Sequence, residues 1–151
     1  MSQVALSGQD TIVLNNYVFT GVADQNYVDL TFPNDIANVK TGKNGNSIYG
    51  FNETGKQCEV KIRVLRASQD DQFLNNLLSQ QQANFAGTVL LQGSFVKKIG
   101  DGQGNITSDT YIMSGGVFTK IPEAKSNAEG ETEQSLAIYT IKFTNAPRVI
   151  T

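Results

Sequence analysis

A strict alternation of apolar and polar residues is the feature that most constrains this chain. In the segment 57–66 the apolar positions are Cys58, Val60, Ile62 and Val64, and the intervening positions are Gln57, Glu59, Lys61 and Arg63. A period of two is typical of a β-strand with one buried face, because successive side chains of a strand point to opposite sides of the sheet. The segment therefore predicts a strand that is covered on one face and exposed to water or to a partner on the other.

The same pattern recurs along the chain and predicts a mainly β protein. Tyr27–Phe32 alternates until Pro33 ends it, and 136–143 places Ala137, Tyr139, Ile141 and Phe143 on one face. Further strands are predicted at Thr11–Leu14, Tyr17–Thr20, Thr88–Ile99, Tyr111–Met113 and Val117–Ile121. No linker or repeat divides the chain, so residues 1–151 are predicted to form a single domain, a β-sandwich or partial barrel.

One segment, about 70–83, is predicted to be a helix. Ser68 is placed to cap its N-terminus, and Asp70 and Asp71 complement the positive end of the helix dipole. The apolar side chains form a single stripe at helical spacing: Phe73, Leu74, Leu77 and Leu78. We expect this stripe to pack against the sheet.

Three loops interrupt the strands. The loop 33–56 contains Asn44-Gly45, which favours a type I′ turn and so predicts a projecting hairpin. The segment 100–105 predicts a second turn between two strands, and 122–133 is a third loop rich in glutamate. Within the first loop, 50–57 matches the spacing of a phosphate-binding loop, but Gln57 replaces the Ser or Thr that binds magnesium and a strand follows where a helix is needed.

Composition argues against catalysis. The chain has no histidine, which removes the Ser-His-Asp and Cys-His arrangements and the commonest metal ligand. Its single cysteine, Cys58, cannot form an internal disulfide, and the start of the chain lacks the pattern of a secretion signal, so a reducing intracellular folding environment is expected. No segment reaches the roughly 18 apolar residues of a membrane-spanning helix. We expect a non-enzymatic protein without cofactor, metal or membrane contact.

The order of several motifs carries a resemblance to a known family. The motifs are 10–15, followed by Val22-Ala23-Asp24; the turn 41–47; the strand-serine-helix junction 60–74; the turn 100–105; and Pro122 with Gly130-Glu131 before the last long strand. This order resembles that of the tail tube proteins of contractile-tailed bacteriophages, with Asn44 at a position where those proteins commonly carry aspartate. Inner tubes of contractile bacteriocins and of type VI secretion are near relatives of that family.

The resemblance implies a structural protein of the virion tail, assembled in the host cytoplasm. Six subunits would complete a large β-barrel ring, and stacked rings would form a conduit through which double-stranded DNA passes without sequence-specific binding. The other partners implied are the tail sheath, baseplate and tail terminator proteins. A closed barrel of about eight strands is filled by its own side chains, and an aqueous channel needs about sixteen or more. A single chain of this length is therefore expected to form a channel only by combining its strands with those of identical copies.

Three surfaces are candidates for assembly. For ring stacking the candidates are Lys40, Lys43, Asn44, Gly45, Tyr49 and Phe51 in the long loop. For the channel lining they are Asp29, Thr31, Glu59, Lys61 and Arg63, on a face expected to be neutral or acidic because a basic lining would grip DNA. For the sheath they are Glu123, Glu129, Glu131 and Glu133. Two alternatives stay open: a monomeric β-barrel that binds a small ligand, and a hydrolase that works through two carboxylates.

Overall fold

The computed structural model describes residues 4–6, 10–20, 27–123 and 136–151. The described part is mainly β with one α-helix, as predicted. The strands are β1 (Ala5–Leu6), β2 (Thr11–Leu14), β3 (Tyr17–Val18), β4 (Val28–Thr31), β5 (Ala37–Thr41), β6 (Ser47–Phe51), β7 (Cys58–Leu65), β8 (Leu91–Gly100), β9 (Ile106–Lys120), β10 (Leu136–Phe143) and β11 (Arg148–Ile150). The helix is α1 (Gln69–Ala83), and short 3-10 turns occupy Glu53–Lys56 and Phe85–Gly87.

Nine of the described strands form one antiparallel sheet, which does not close into a barrel within the described residues. The order is β3-β2-β8-β9-β10-β7-β4, with β1 also pairing β8 and β11 also pairing β9, while β5 and β6 form a separate two-stranded sheet. The buried side chains of both halves of the large sheet belong to one core cluster, which includes Ile12 and Leu14 of β2 and Ile62 of β7. This arrangement is consistent with the predicted sandwich.

Strand β9 joins the two halves of the sheet. It pairs with β8 from Ile106 to Gly116 and with β10 from Val117 to Lys120. The sequence predicted two separate strands, Tyr111–Met113 and Val117–Ile121, and this was wrong. The intervening glycines bend the strand instead of ending it: Gly115 has φ +67°, in the left-handed region that glycine adopts without cost.

The two strands with the clearest alternation lie next to each other. In β7 and β10 the predicted inward residues are all buried: Cys58, Val60, Ile62, Val64, Ala137, Tyr139, Ile141 and Phe143. The register places Tyr139 opposite Ile62 and Ile141 opposite Val60, so the apolar faces of the two strands coincide. The alternation of apolar and polar residues therefore predicts both the positions of these two strands and the side of the sheet that they bury.

Helix α1 begins as predicted. Ser68 Oγ accepts a hydrogen bond from the Asp71 backbone N–H at 3.2 Å, and Leu74 and Leu78 of the apolar stripe are buried. Asp70 differs from the expectation, because it is fully buried and accepts from Tyr17 Oη at 2.7 Å and from the Thr20 backbone N–H at 2.9 Å. Asp70 thus joins the segment that contains β3 to the start of the helix, and β3 itself ends at Val18, two residues earlier than predicted.

The long loop forms the predicted hairpin, but through a different turn. Type I′ needs positive φ at both central residues, and only Gly45 has it, at +84°. The Gly45 N–H donates to Gly42 O at 3.0 Å and the Gly42 N–H donates to Asn46 O at 2.8 Å. This is a three-residue connection in which glycine supplies the left-handed position after an ordinary turn.

Candidate assembly surfaces

The hairpin β5–β6 presents an apolar face to solvent. Cross-strand register puts Val39 opposite Tyr49 and Ala37 opposite Phe51, so these four side chains share one side of the hairpin. Val39, Tyr49 and Phe51 are 60%, 76% and 69% exposed. We call these three residues the apolar hairpin face. An exposed and contiguous apolar patch of this kind commonly marks a surface that contacts another molecule.

The remaining predicted stacking residues lie elsewhere on the hairpin. Lys40 is paired with Ile48 on the opposite face, and both are exposed. Lys43, Asn44 and Gly45 form the exposed tip. The structure therefore brings Tyr49 and Phe51 together but separates them from Lys40. Val39 was missed by the sequence reasoning, although its alternation with Lys40 could have placed it beside Tyr49.

The base of the hairpin is closed by contacts within the segment 36–55. The Asn52 N–H donates to Ile36 O at 2.9 Å, which extends the ladder by one pair. Gly55 packs so closely on Ile36 that an added Cβ would lie 2.6 Å from the Ile36 Cα. The segment that matched a phosphate-binding loop folds as the end of β6 and a 3-10 turn, and it supports this base. These contacts hold together the residues at the base of the hairpin.

A second surface is the outward face of β4, β7 and β10. The structure brings together all five residues predicted to line a channel, because Asp29 is paired with Lys61 and Thr31 with Glu59 on neighbouring strands. Arg63 Nη1 donates to Asp29 Oδ2 at 2.8 Å. The same face continues onto β10 through Ile138, Thr140 and Lys142 and onto β9 through Lys120. We call this surface the polar sheet face.

The charge of the polar sheet face differs from the expected neutral or acidic one. Its described acidic residues are Asp29 and Glu59, whereas its described basic residues are Lys61, Arg63, Lys120 and Lys142. The acidic character of the whole chain, which has a net charge of −2, therefore does not extend to this face. Opposite charges are interspersed across neighbouring strands, and the Asp29–Arg63 pair neutralises one cation.

An ion pair that the sequence did not suggest fixes the C-terminal strand. Arg148 of β11 donates to Asp109 of β9 through Nε at 2.8 Å and through Nη2 at 2.7 Å. The guanidinium also lies over the Tyr111 ring, 5.8 Å from its centroid. These hydrogen bonds hold the pKa of Asp109 below its usual value. Lys97, which pairs with Asp10 at 3.1 Å, adds a second positive charge near Asp109. Arg148 and Asp109 are far apart in sequence, so no local sequence pattern could have revealed their ion pair.

The acidic surface predicted for a sheath contact is described only at one position. Glu123 is exposed at the end of the segment 27–123. Glu129, Glu131 and Glu133 lie outside the described residues.

The described residues contain little that points to chemistry on a small molecule. Among 4–6, 10–20, 27–123 and 136–151, no three Cys, Asp or Glu side chains are arranged to hold a metal ion. A groove of about 520 Å³ beside β2, β8 and β9 is lined by Val89, Leu90 and Ile112, among others, and contains no acidic side chain. A second depression of about 330 Å³ includes Asp71 and Glu123. Of these, Asp71 already accepts hydrogen bonds from Tyr139 Oη at 2.6 Å and from the Ala67 N–H at 2.8 Å.

None of the helices in the described segments is both long and apolar enough to cross a membrane. In the comparisons with known proteins, no protein-family model and no curated protein sequence matches the chain.

Proposed function

We propose that this chain is a structural subunit that acts by joining copies of itself into a hollow tube, as in the tail tubes of contractile bacteriophages. Six copies form a ring, and rings stack to give a conduit for double-stranded DNA. Inner tubes of contractile bacteriocins and of type VI secretion are the alternatives within this class. In a virion tail the sheath, baseplate and terminator proteins would be the further partners. The chain then works by assembly and needs neither a catalytic group nor a cofactor.

The apolar hairpin face is the observation that carries the proposal. A two-stranded hairpin is marginally stable in water on its own, and this one exposes every residue of both strands. Its large apolar side chains remain mostly exposed to solvent in the single subunit. Burying one such side chain at an interface is worth about 1.5–3 kcal/mol. A neighbouring copy that covers Val39, Tyr49 and Phe51 gives the hairpin the support that its own chain does not.

The open sheet supports the proposal in a second way. Its described strands end in edges at β3 and β4 and do not pair with each other. A small-ligand β-barrel closes on itself to remove such edges, whereas a subunit of a larger wall can leave them to its neighbours. This weakens the alternative of a solitary ligand-binding barrel.

The polar sheet face is the candidate lining of the tube. Most of its side chains are polar and carry charges of both signs, which suits a wall in contact with water, although Ile138 is apolar and Thr140 is buried. Cations outnumber acids among its described residues, and the Asp29–Arg63 pair offsets only one of them. The proposal therefore requires that further acidic groups, or the neighbouring copies, offset the remaining positive charge, because a basic lining would bind DNA.

The test compares two exposed residues of β6 on opposite sides of the hairpin. Tyr49→Ser removes the centre of the apolar hairpin face, and Ile48→Ser removes an equally exposed apolar side chain from the other face. We expect both variants to stay folded by circular dichroism. Tyr49→Ser should raise the protein concentration needed for assembly, measured by sedimentation, by about tenfold or more, which is the effect of about 1.4 kcal/mol. Equal assembly of the two variants would refute the role of this face.

A further inference from the structure

Three consecutive glutamines near the end of α1 have different environments. Gln80 and Gln82 are exposed, whereas Gln81 is half-buried and directed at strand β9. Its side-chain Nε2 donates to the Phe118 carbonyl at 2.9 Å, and its Oε1 accepts from the Phe118 backbone N–H at 2.9 Å. One side chain thus makes the two hydrogen bonds that a residue of a neighbouring strand would make.

The position of Phe118 explains why it needs such a partner. Strand β8 begins at Leu91, which pairs with Gly116, so β8 offers β9 no partner beyond that point. On the other side of β9, Phe118 lies opposite Ile141 of β10. The backbone N–H and C=O of Phe118 point to the side that β8 has left, where Gln81 meets them. Without Gln81, this part of β9 would be a free sheet edge.

We propose that Gln81 closes this edge and thereby excludes a strand of a second copy from it. A free edge pairs readily with another chain, because its backbone groups are a template for a new strand. The last turns of α1 lie across the edge, and the amide of Gln81 holds them there by replacing the missing strand. The inference does not depend on the proposed tube, since an edge of this kind must be closed in a solitary subunit as well.

The sequence around Gln81 agrees with this role. Leu74, Leu78 and Gln81 are spaced i, i+4 and i+7, so the glutamine occupies the stripe of the helix that faces the sheet. An apolar residue is the usual choice at such a position. A polar one there is stable only because both of its amide groups are paired, and a leucine would leave two backbone groups of a buried residue without partners.

The test uses Gln81→Leu with Gln82→Leu as the matched control, since Gln82 is exposed and makes no described bond to β9. The first measurement is amide hydrogen exchange of Phe118. We expect Gln81→Leu to speed its exchange by roughly tenfold or more, and Gln82→Leu to leave it unchanged. Gln81→Glu, which keeps the length and one acceptor, is the substitute should the leucine variant fail to fold.

The second measurement detects pairing of two copies at this edge. Thr119→Cys introduces an exposed thiol beside Phe118, and a short bismaleimide reports copies that meet there. Cys58 does not compete because it is fully buried. Cross-linked dimers should form with Gln81→Leu and not with Gln82→Leu; assembly through other surfaces contributes equally to both. Unchanged exchange of Phe118 would overturn the closure, and faster exchange without extra dimers would overturn the exclusion of a second copy.

Discussion

The ring of Phe143 lies directly against Gly116, in the bend where β9 passes from one half of the sheet to the other. A Cβ added to Gly116 would be 2.4 Å from the Cε1 of Phe143, closer than non-bonded carbon atoms can approach. Both residues are buried, so neither has room to move away. The absence of a side chain at Gly116 is therefore what lets β9 bend around the ring.

This contact predicts that Gly116→Ala is destabilising. The added methyl group must displace a fully buried ring, and overpacking of this kind costs about 1–3 kcal/mol. Urea unfolding followed by circular dichroism measures the loss. Gly50→Ala is the control, because its Cβ would meet only the Asn38 carbonyl at 4.0 Å. Equal midpoints for the two variants would contradict the packing described here.

The Arg148–Asp109 pair predicts a pH-dependent contribution to stability. The pKa of Asp109 in the folded protein lies below its ordinary value of 3.8, so the pair stabilises the fold above that pH and its effect is lost as pH falls through the lowered pKa. Asp109→Asn should be less stable by about 1 kcal/mol at neutral pH, a modest amount because the Arg148 side chain is 52% exposed and screened by water.

Urea unfolding at a series of pH values measures this effect. The difference in the free energy of unfolding between the wild type and Asp109→Asn should become smaller below pH 3.8. Glu123→Gln, at an exposed position, serves as the control for general charge effects. If this difference stays constant down to strongly acidic pH, the charge of the Asp109 carboxylate does not contribute to stability.

Cys58 is predicted to be inert until the protein unfolds. Its side chain is fully buried on β7, and burial raises the pKa of its thiol to about 11. A thiol reagent at neutral pH should therefore react with the native protein many times more slowly than with the protein in denaturant. Since the chain has one cysteine, mass spectrometry gives the labelled fraction directly. Rapid labelling of the native protein would contradict the burial of this strand.

The cap of α1 gives a prediction with an internal control. Ser68→Ala removes the acceptor of the Asp71 N–H bond and should lower the free energy of unfolding by about 1 kcal/mol. Ser79→Ala, on the exposed face of the same helix, should leave stability nearly unchanged. Thermal unfolding of the two variants provides the comparison, and similar melting temperatures would argue against the cap.

Local patterns predicted the parts of this fold that have one buried face. The alternation of apolar and polar residues predicted β7, β10 and their buried side chains, and the N-cap and apolar stripe predicted α1. Each of these patterns depends only on the spacing of residues along a single element. The five candidate lining residues lie together for the same reason: β4 and β7 alternate in phase.

The rest depends on partners distant in sequence. Gly115 and Gly116 separate two apolar runs in the sequence, and only their contacts with Thr144 and Phe143, which are distant in sequence, accompany a strand that continues through them. Asp70 resembles a solvent-exposed dipole partner until Tyr17 and Thr20 bury it. Strand β11 is too short to show a period, and the two bonds of Gln81 follow from where β8 begins.

Electron microscopy of the purified chain, negatively stained over a range of protein concentrations, tests the central claim most directly. The proposal predicts six-fold rings and hollow tubes that become longer and more numerous as the concentration rises. Fields without rings or tubes at every protein concentration would contradict it.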